Sequence, residues 1–282
     1  MMTTTYTTII SVTDLQAALP NPDWAVVDCR FELAEPEQAR QDYLAGHVPG
    51  AVFADIEQDL SAPRGSSGGR HPLPDTEFLT ELFSRLGIDA DTQVVAYDAN
   101  GGGFAARLWW LLRYMGHKKV AILDGGWSAW QAAGGASATG EELRQWRPFA
   151  GAADDTMRVT VQAVNNAALL VDSRDPARYR GEFEPLDPAA GHIPGARNRF
   201  WKDNLDLDNN FKPPATIAAE LADLYSDTAP ESVVFYCGSG VTACHNILAA
   251  VYAGLPQPLL YAGSWSEWCS DRARPVATGN EP

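Results

Sequence analysis

Residues 237 to 244 read Cys-Gly-Ser-Gly-Val-Thr-Ala-Cys, after the apolar run Val233-Val234-Phe235-Tyr236 and at the start of a helical pattern from Thr242 to Tyr252. A cysteine reacts as its thiolate. A helix N-terminus favours that form, because it offers partial positive charge and unpaired N–H groups. Glycines at 238 and 240 let the backbone curl so that such N–H groups face one sulfur, forming an anion-binding nest. Cys237 is therefore the candidate nucleophile, with Gly238, Gly240, Val241 and Thr242 as the loop that holds its reacting group. Cysteine is also a common core filler, and that role suits Cys244, Cys29 and Cys269.

Three familiar chemistries use a loop of this kind, and two of them lack a required residue here. Phosphoryl-transferring cysteine enzymes need an arginine fork six positions after the nucleophile, where this chain has Ala243. Disulfide exchange needs a second cysteine after two intervening residues, and that position is Gly240. A zinc site from Cys237, Cys244 and His245 lacks paired CxxC spacing. The remaining fit is a persulfide, an extra sulfur atom carried on Cys237 and cradled by N–H groups.

The elements that must position this loop are written twice. Val27-Asp28-Cys29-Arg30 is echoed by Val171-Asp172-Ser173-Arg174, and Ala45-Gly46-His47-Val48-Pro49-Gly50-Ala51 by Ala190-Gly191-His192-Ile193-Pro194-Gly195-Ala196. Val94 to Asp98 matches Val233 to Cys237, and the tryptophans at 127 and 130 match those at 265 and 268. Echoes in one order at nearly constant separation indicate duplication. The second copy has Cys237 where the first has Asp98, so one half is equipped to react and the other has no nucleophile. Each half alternates short β-branched runs (Ala25 to Asp28, Gln93 to Tyr97; Leu169 to Asp172, Ser232 to Tyr236) with helical patterns such as Phe104 to Tyr114. Such alternation predicts an α/β fold, each half a mostly parallel sheet with helices on both faces. We expect a first domain over residues 1–140, a linker over 141–157 in the Ala- and Gly-rich stretch after Ala132, and a catalytic domain over 158–282.

The formal charge of -15, from 21 basic and 36 acidic side chains, argues against nucleic acid and anionic membranes as partners. The N-terminal Met-Met-Thr-Thr-Thr-Tyr has no signal-peptide pattern, no apolar run is long enough to span a bilayer, and four cysteines make no disulfide scaffold. The expectation is a soluble protein of a reducing cytoplasm.

The CGSGVTAC loop, the paired GHxPGA segments and the Trp-rich ends together resemble the two-domain rhodanese-type sulfurtransferases, over essentially the whole length. Thiosulfate-preferring members typically carry CRKGVT, whereas CGSGVT is typical of mercaptopyruvate sulfurtransferases. The resemblance therefore implies two tandem rhodanese-like domains and transfer of sulfane sulfur from 3-mercaptopyruvate to cyanide or a thiol through a Cys237 persulfide. Thiosulfate as donor, or a persulfide carrier or regulatory binding protein, are the alternatives. No cofactor or metal is implied; the partners are small-molecule donors and acceptors, with a thioredoxin-like reductant conceivable as acceptor.

The resemblance also implies site residues. Ser239 matches a loop hydroxyl that works with an aspartate and a histidine, for which Asp55 and His71 stand in the corresponding places, and Arg178 matches an arginine that binds the donor carboxylate. The family's second carboxylate arginine falls on Leu186 in Glu184-Pro185-Leu186-Asp187, leaving Arg180, Arg107 or Arg197 as substitutes. Other roles remain open for several of these residues. Asp55 could cap a helix beginning at Ile56, His71 could be a solvated loop residue, and Arg107 could serve an ordinary ion pair. His47 and His192, present in both copies, read as turn histidines, and the paired tryptophans as packing.

Overall fold

The structure, a computed structural model, describes residues 4–19, 21–65 and 68–282. The first three residues of the N-terminal stretch discussed above lie outside them. Runs rich in Val, Ile, Leu and Tyr form strands because side chains branched at Cβ pack well on a pleated surface. The first half contains β1 (Ile9–Ile10), β2 (Trp24–Asp28), β3 (Val52–Phe53), β4 (Gln93–Tyr97) and β5 (Val120–Leu123). The second contains β6 (Arg158–Val159), β7 (Leu169–Asp172), β8 (Ala196–Asn198), β9 (Val233–Tyr236) and β10 (Leu259–Tyr261). The sheet orders are β1-β5-β4-β2-β3 and β6-β10-β9-β7-β8, and every pairing is parallel. The duplication read from sequence is thus a duplication of topology. The central β4 and β9 are buried along their whole length, as expected for parallel strands covered on both faces.

The covering helices are α1 (Val12–Ala18), α2 (Pro36–Ala45), α3 (Thr76–Arg85), α4 (Ala105–Tyr114) and α5 (Gly126–Ala132) in the first half. In the second they are α6 (Pro176–Tyr179), α7 (Pro214–Tyr225), α8 (Ala243–Tyr252) and α9 (Ser264–Trp268). The chain forms two compact units, and their membership does not follow the sequence strictly. The first comprises residues 1–60, 74–154 and 207–211; the second comprises 61–73, 155–206 and 212–282. The segment after α5 is not a free tether. Glu142 N–H donates to Tyr43 Oη at 3.0 Å, Arg147 pairs with Asp23 and Asp89, and Phe149 packs edge-on against Phe83, all within the first unit.

The echoed motifs have one structural explanation. Arg30 donates from Nη2 to Asp28 Oδ2 and to the carbonyl of Gly46, both at 2.6 Å, with its guanidinium 4.9 Å from the Trp127 ring centre. Arg174 repeats this with Asp172 and Gly191 O, again at 2.6 Å, and lies 4.7 Å from the Trp265 ring centre. The pair fastens a strand end to the turn before the histidine, where His47 stacks on Tyr43 and His192 on Tyr179. Burying an ionised arginine is costly unless it is paired and hydrogen-bonded, so strand, turn and tryptophan must recur together.

Candidate active site

Cys237 follows the last residue of β9, and the loop to Thr242 leads into α8. The N-terminal end of α9 fastens this loop from beneath. Cys237 N–H donates to Ser264 Oγ at 3.1 Å, while the N–H groups of Trp265 and Ser266 donate to the carbonyls of Cys237 and Gly238 at 3.0 and 2.9 Å. Gly240 has φ +77°, and a Cβ there would collide with the carbonyl of Ala262; only glycine makes this turn. The same turn brings Gly240 N–H to Cys237 Sγ at 3.2 Å, giving the sulfur an amide donor at the entrance to a helix. Cys237 is 2% exposed, and Val241 and Ser239 beside it are also buried.

Ser264 adopts φ +56°, where the first half has Gly126 at φ +57°. A non-glycine residue in this region carries strain of order 1–3 kcal/mol. The serine is held there because its hydroxyl accepts from Cys237 N–H and donates to Tyr261 O at 2.9 Å. That bond fixes the start of the Cys237 loop, a task the glycine of the other half does not have.

The segment Gly68-Gly69-Arg70-His71 precedes the second half in sequence but belongs to its compact unit. It lies on α9: Gly68 N–H donates to Glu267 Oε1 at 2.9 Å and Arg70 N–H to Ser266 Oγ at 3.0 Å. Gly69, at φ +74°, passes so close that a Cβ would strike the carbonyl of Gly263 and the hydroxyl of Ser266. This docking places the Nδ1 of His71 2.7 Å from Ser239 Oγ, with both residues buried. Gly69→Val should lift the strap from α9 and displace both His71 and Arg70. Displacements near 1 Å can cost about 10²-fold in rate, so we expect a fall of that order in kcat with the melting temperature little changed. A variant with full activity would show that the docking does not matter.

Two guanidinium groups converge on the loop. A methyl placed on Gly238 would lie 2.9 Å from an Nη of Arg70 and 3.6 Å from both Nη atoms of Arg178. Arg178 is the arginine that the resemblance pointed to for the donor carboxylate. Arg70 was not singled out, although its place between a glycine pair and His71 was the available signal. Arg180 pairs with Glu182 at the surface, and Arg197 bonds the Leu224 carbonyl and Ser226. Neither is joined to the Arg70 and Arg178 pairings.

Asp55 and Arg107 belong to the first unit. There the Asp55 carboxylate accepts N–H bonds from Glu57 and Gln58 at 2.7 and 2.9 Å, in the manner of a helix cap, and burial pushes its carboxyl upward in pKa. Arg107 is fully buried in α4 and donates to Leu60 O at 3.2 Å. The loop equivalent to 237–242 holds Asp98, whose buried carboxylate accepts N–H bonds from Asn100, Gly102, Phe104 and Ala105 at 2.7–2.9 Å. Burial raises its pKa despite those donors.

Burial also pushes the Cys29 thiol well above its ordinary range and Cys269 up to about 11. Neither should therefore be alkylated by iodoacetamide in the native protein at neutral pH, a result peptide mapping would contradict if either carried the label. Cys244 packs in α8, its Sγ 3.3 Å from Gly240 O. Among the described residues no group of three or more His, Cys, Asp or Glu could hold a metal ion, and no helix is long and apolar enough to cross a membrane.

Comparison with known proteins agrees with this architecture. The rhodanese-like domain pattern matches residues 11–133 and again 159–271. The chain is 46% identical over 279 residues to the "Probable 3-mercaptopyruvate sulfurtransferase" of Pseudomonas aeruginosa, covering 96% of this chain and 98% of that one. It is 35% identical to the thiosulfate sulfurtransferase of Cricetulus griseus, over 88% of this chain and 85% of the other. Among solved structures it resembles 3-mercaptopyruvate sulfurtransferase from Leishmania major, with TM-score 0.84, 30% identity, and coverage of 93% and 74% of the two chains. With that domain pattern matched in both halves and relatives spanning nearly its whole length, the chain belongs to the family of rhodanese-like domain proteins.

Proposed function

We propose that the protein is a sulfurtransferase that takes sulfur from 3-mercaptopyruvate onto Cys237 and passes it to cyanide or a thiol. The observation that carries this reading is the loop itself: Gly240 N–H directed at Cys237 Sγ, with Ser239 and His71 paired beside it. The Cys237 thiolate attacks the donor sulfur, forming an S–S bond while the C–S bond breaks and its electron pair passes to carbon. The enolate of pyruvate so formed needs a proton. The donor's own thiol proton, lost as the persulfide ionises, balances that need when Ser239 and His71 relay it to carbon. General acid assistance of this kind is worth typically about 10²–10⁴-fold. The acceptor then attacks the outer sulfur, restoring the Cys237 thiolate in a double-displacement cycle.

Mercaptopyruvate is favoured over thiosulfate because this loop lacks the Arg and Lys of CRKGVT. The guanidinium groups at Gly238 are instead matched by carboxylates. A thioredoxin-like reductant belongs to the same proposal as one form of the thiol acceptor. The test compares kcat/KM for the two donors with cyanide as acceptor and weighs the intact protein after each donor. Cys237 heavier by one sulfur atom, with the faster turnover on mercaptopyruvate, supports the reading. A faster thiosulfate reaction overturns the donor, and a persulfide formed without small-molecule turnover makes the protein a sulfur carrier.

A further inference from the structure

The arginines at Gly238 belong to a chain of ion pairs. Arg70 pairs with Asp187. Arg178 pairs with Glu184 at 2.7 Å and reaches Asp187 at 3.5 Å. Glu184 also receives Arg174, which holds Asp172. Three guanidinium groups thus face three carboxylates, and the side chains of Asp187 and Glu184 are 3% and 2% exposed. The carboxylates are not equivalent. Glu184 grips Arg178 through both oxygens and also accepts the N–H groups of Leu186 and Asp187, so it is built into the turn. Asp187 bonds outward to the two arginines. It borders a recess of about 230 Å³ that Arg64, Arg70, Leu186, Ser266 and Ser270 also line. The Nε of Arg70 is buried with no hydrogen-bond partner among the described residues, so this arginine has donor capacity to spare.

We propose that Asp187 is an internal counter-anion that sets the charge of the donor this site accepts, with Arg70 supplying the second cation that Leu186 cannot. The proposal rests on the sulfurtransferase reading and deepens it. An incoming carboxylate competes with Asp187 for Arg70 and Arg178. Because the cluster is neutral before binding, a monoanionic keto acid adds a single uncompensated charge, whereas a dianion such as thiosulfate adds two. Asp187 thus penalises dianions without touching the sulfur chemistry.

The test separates anion selectivity from turnover. Pyruvate, a monoanion, and sulfate, a dianion, are titrated calorimetrically into the wild-type protein, Asp187→Asn, Asp187→Glu and Arg70→Met, each checked for an unchanged melting transition. Hydrogen bonds to charged groups are worth enough to change affinity by about tenfold or more. Asp187→Asn should tighten sulfate by about tenfold and pyruvate by much less, Asp187→Glu should keep the wild-type preference, and Arg70→Met should weaken both anions about tenfold. The ratio of kcat/KM for thiosulfate to that for mercaptopyruvate should rise in parallel in Asp187→Asn. An unchanged pyruvate-to-sulfate preference in Asp187→Asn, or undiminished binding in Arg70→Met, overturns the proposal. If Asp187→Asn does not fold, loss of the wild-type preference in Asp187→Glu overturns it instead. Absence of a Cys237 persulfide in the wild type would overturn the sulfurtransferase reading while leaving the binding measurement decisive for Asp187.

Discussion

Cys237→Ser protein incubated with mercaptopyruvate should keep its unmodified mass and form no thiocyanate when cyanide is added, with turnover at least about 10³-fold below wild type. A serine hydroxyl keeps nearly the same shape in a site that is 2% exposed, so the loop should survive, with its carbonyls still bound by Trp265 and Ser266. What is lost is the polarisable sulfur atom that attacks the donor in the proposed mechanism. Comparable melting temperatures with and without the substitution would separate lost chemistry from lost structure. Sulfur found on Cys29, Cys244 or Cys269 in the variant would assign the acceptor role to the wrong thiol.

The second large effect falls on the Ser239–His71 pair. With mercaptopyruvate, Ser239→Ala and His71→Asn should each lower kcat by about 10²–10⁴-fold. The double variant should be little worse than the more damaged single one, because groups that act as a unit are strongly non-additive. With thiosulfate the same variants should lose far less. Sulfite departs with its electron pair on a stable anion, whereas the carbon leaving from mercaptopyruvate must be protonated. The donor-dependence is the decisive readout: equal losses on both donors would mean that the pair only shapes the loop.

Much of this was legible because the informative signals are local. The runs at 93–97 and 169–172 become strands with those bounds, and the helices after the two loops begin within one residue of expectation. Cys237 stands out as the candidate nucleophile for the same reason, since glycine spacing and a following helix are sequence-adjacent facts. Arg70 was not visible. Its position depends on the N–H groups of Gly68 and Arg70 donating to Glu267 and Ser266, residues nearly two hundred positions away. No periodicity encodes such a contact. Arg180 illustrates the opposite failure: it is close to Arg178 in sequence, yet Glu182 holds it at the surface. The stretch after Ala132 read as linker from its composition, while Tyr43, Asp89 and Phe83 bind it to the first unit through contacts that composition cannot show.

The four amides that close on Asp98 have a consequence for how the two halves share labour. A carboxylate tethered to the chain cannot diffuse away or be consumed, so the occupant of the first half's loop stays the same whatever the reaction is doing. In the proposed cycle the second half must alternate, because the sulfur atom its loop holds on Cys237 arrives with one molecule and departs with another. Duplication has in this way produced an invariant partner and a cycling one from a single blueprint, and the exchange of one residue type at a strand end decides which is which.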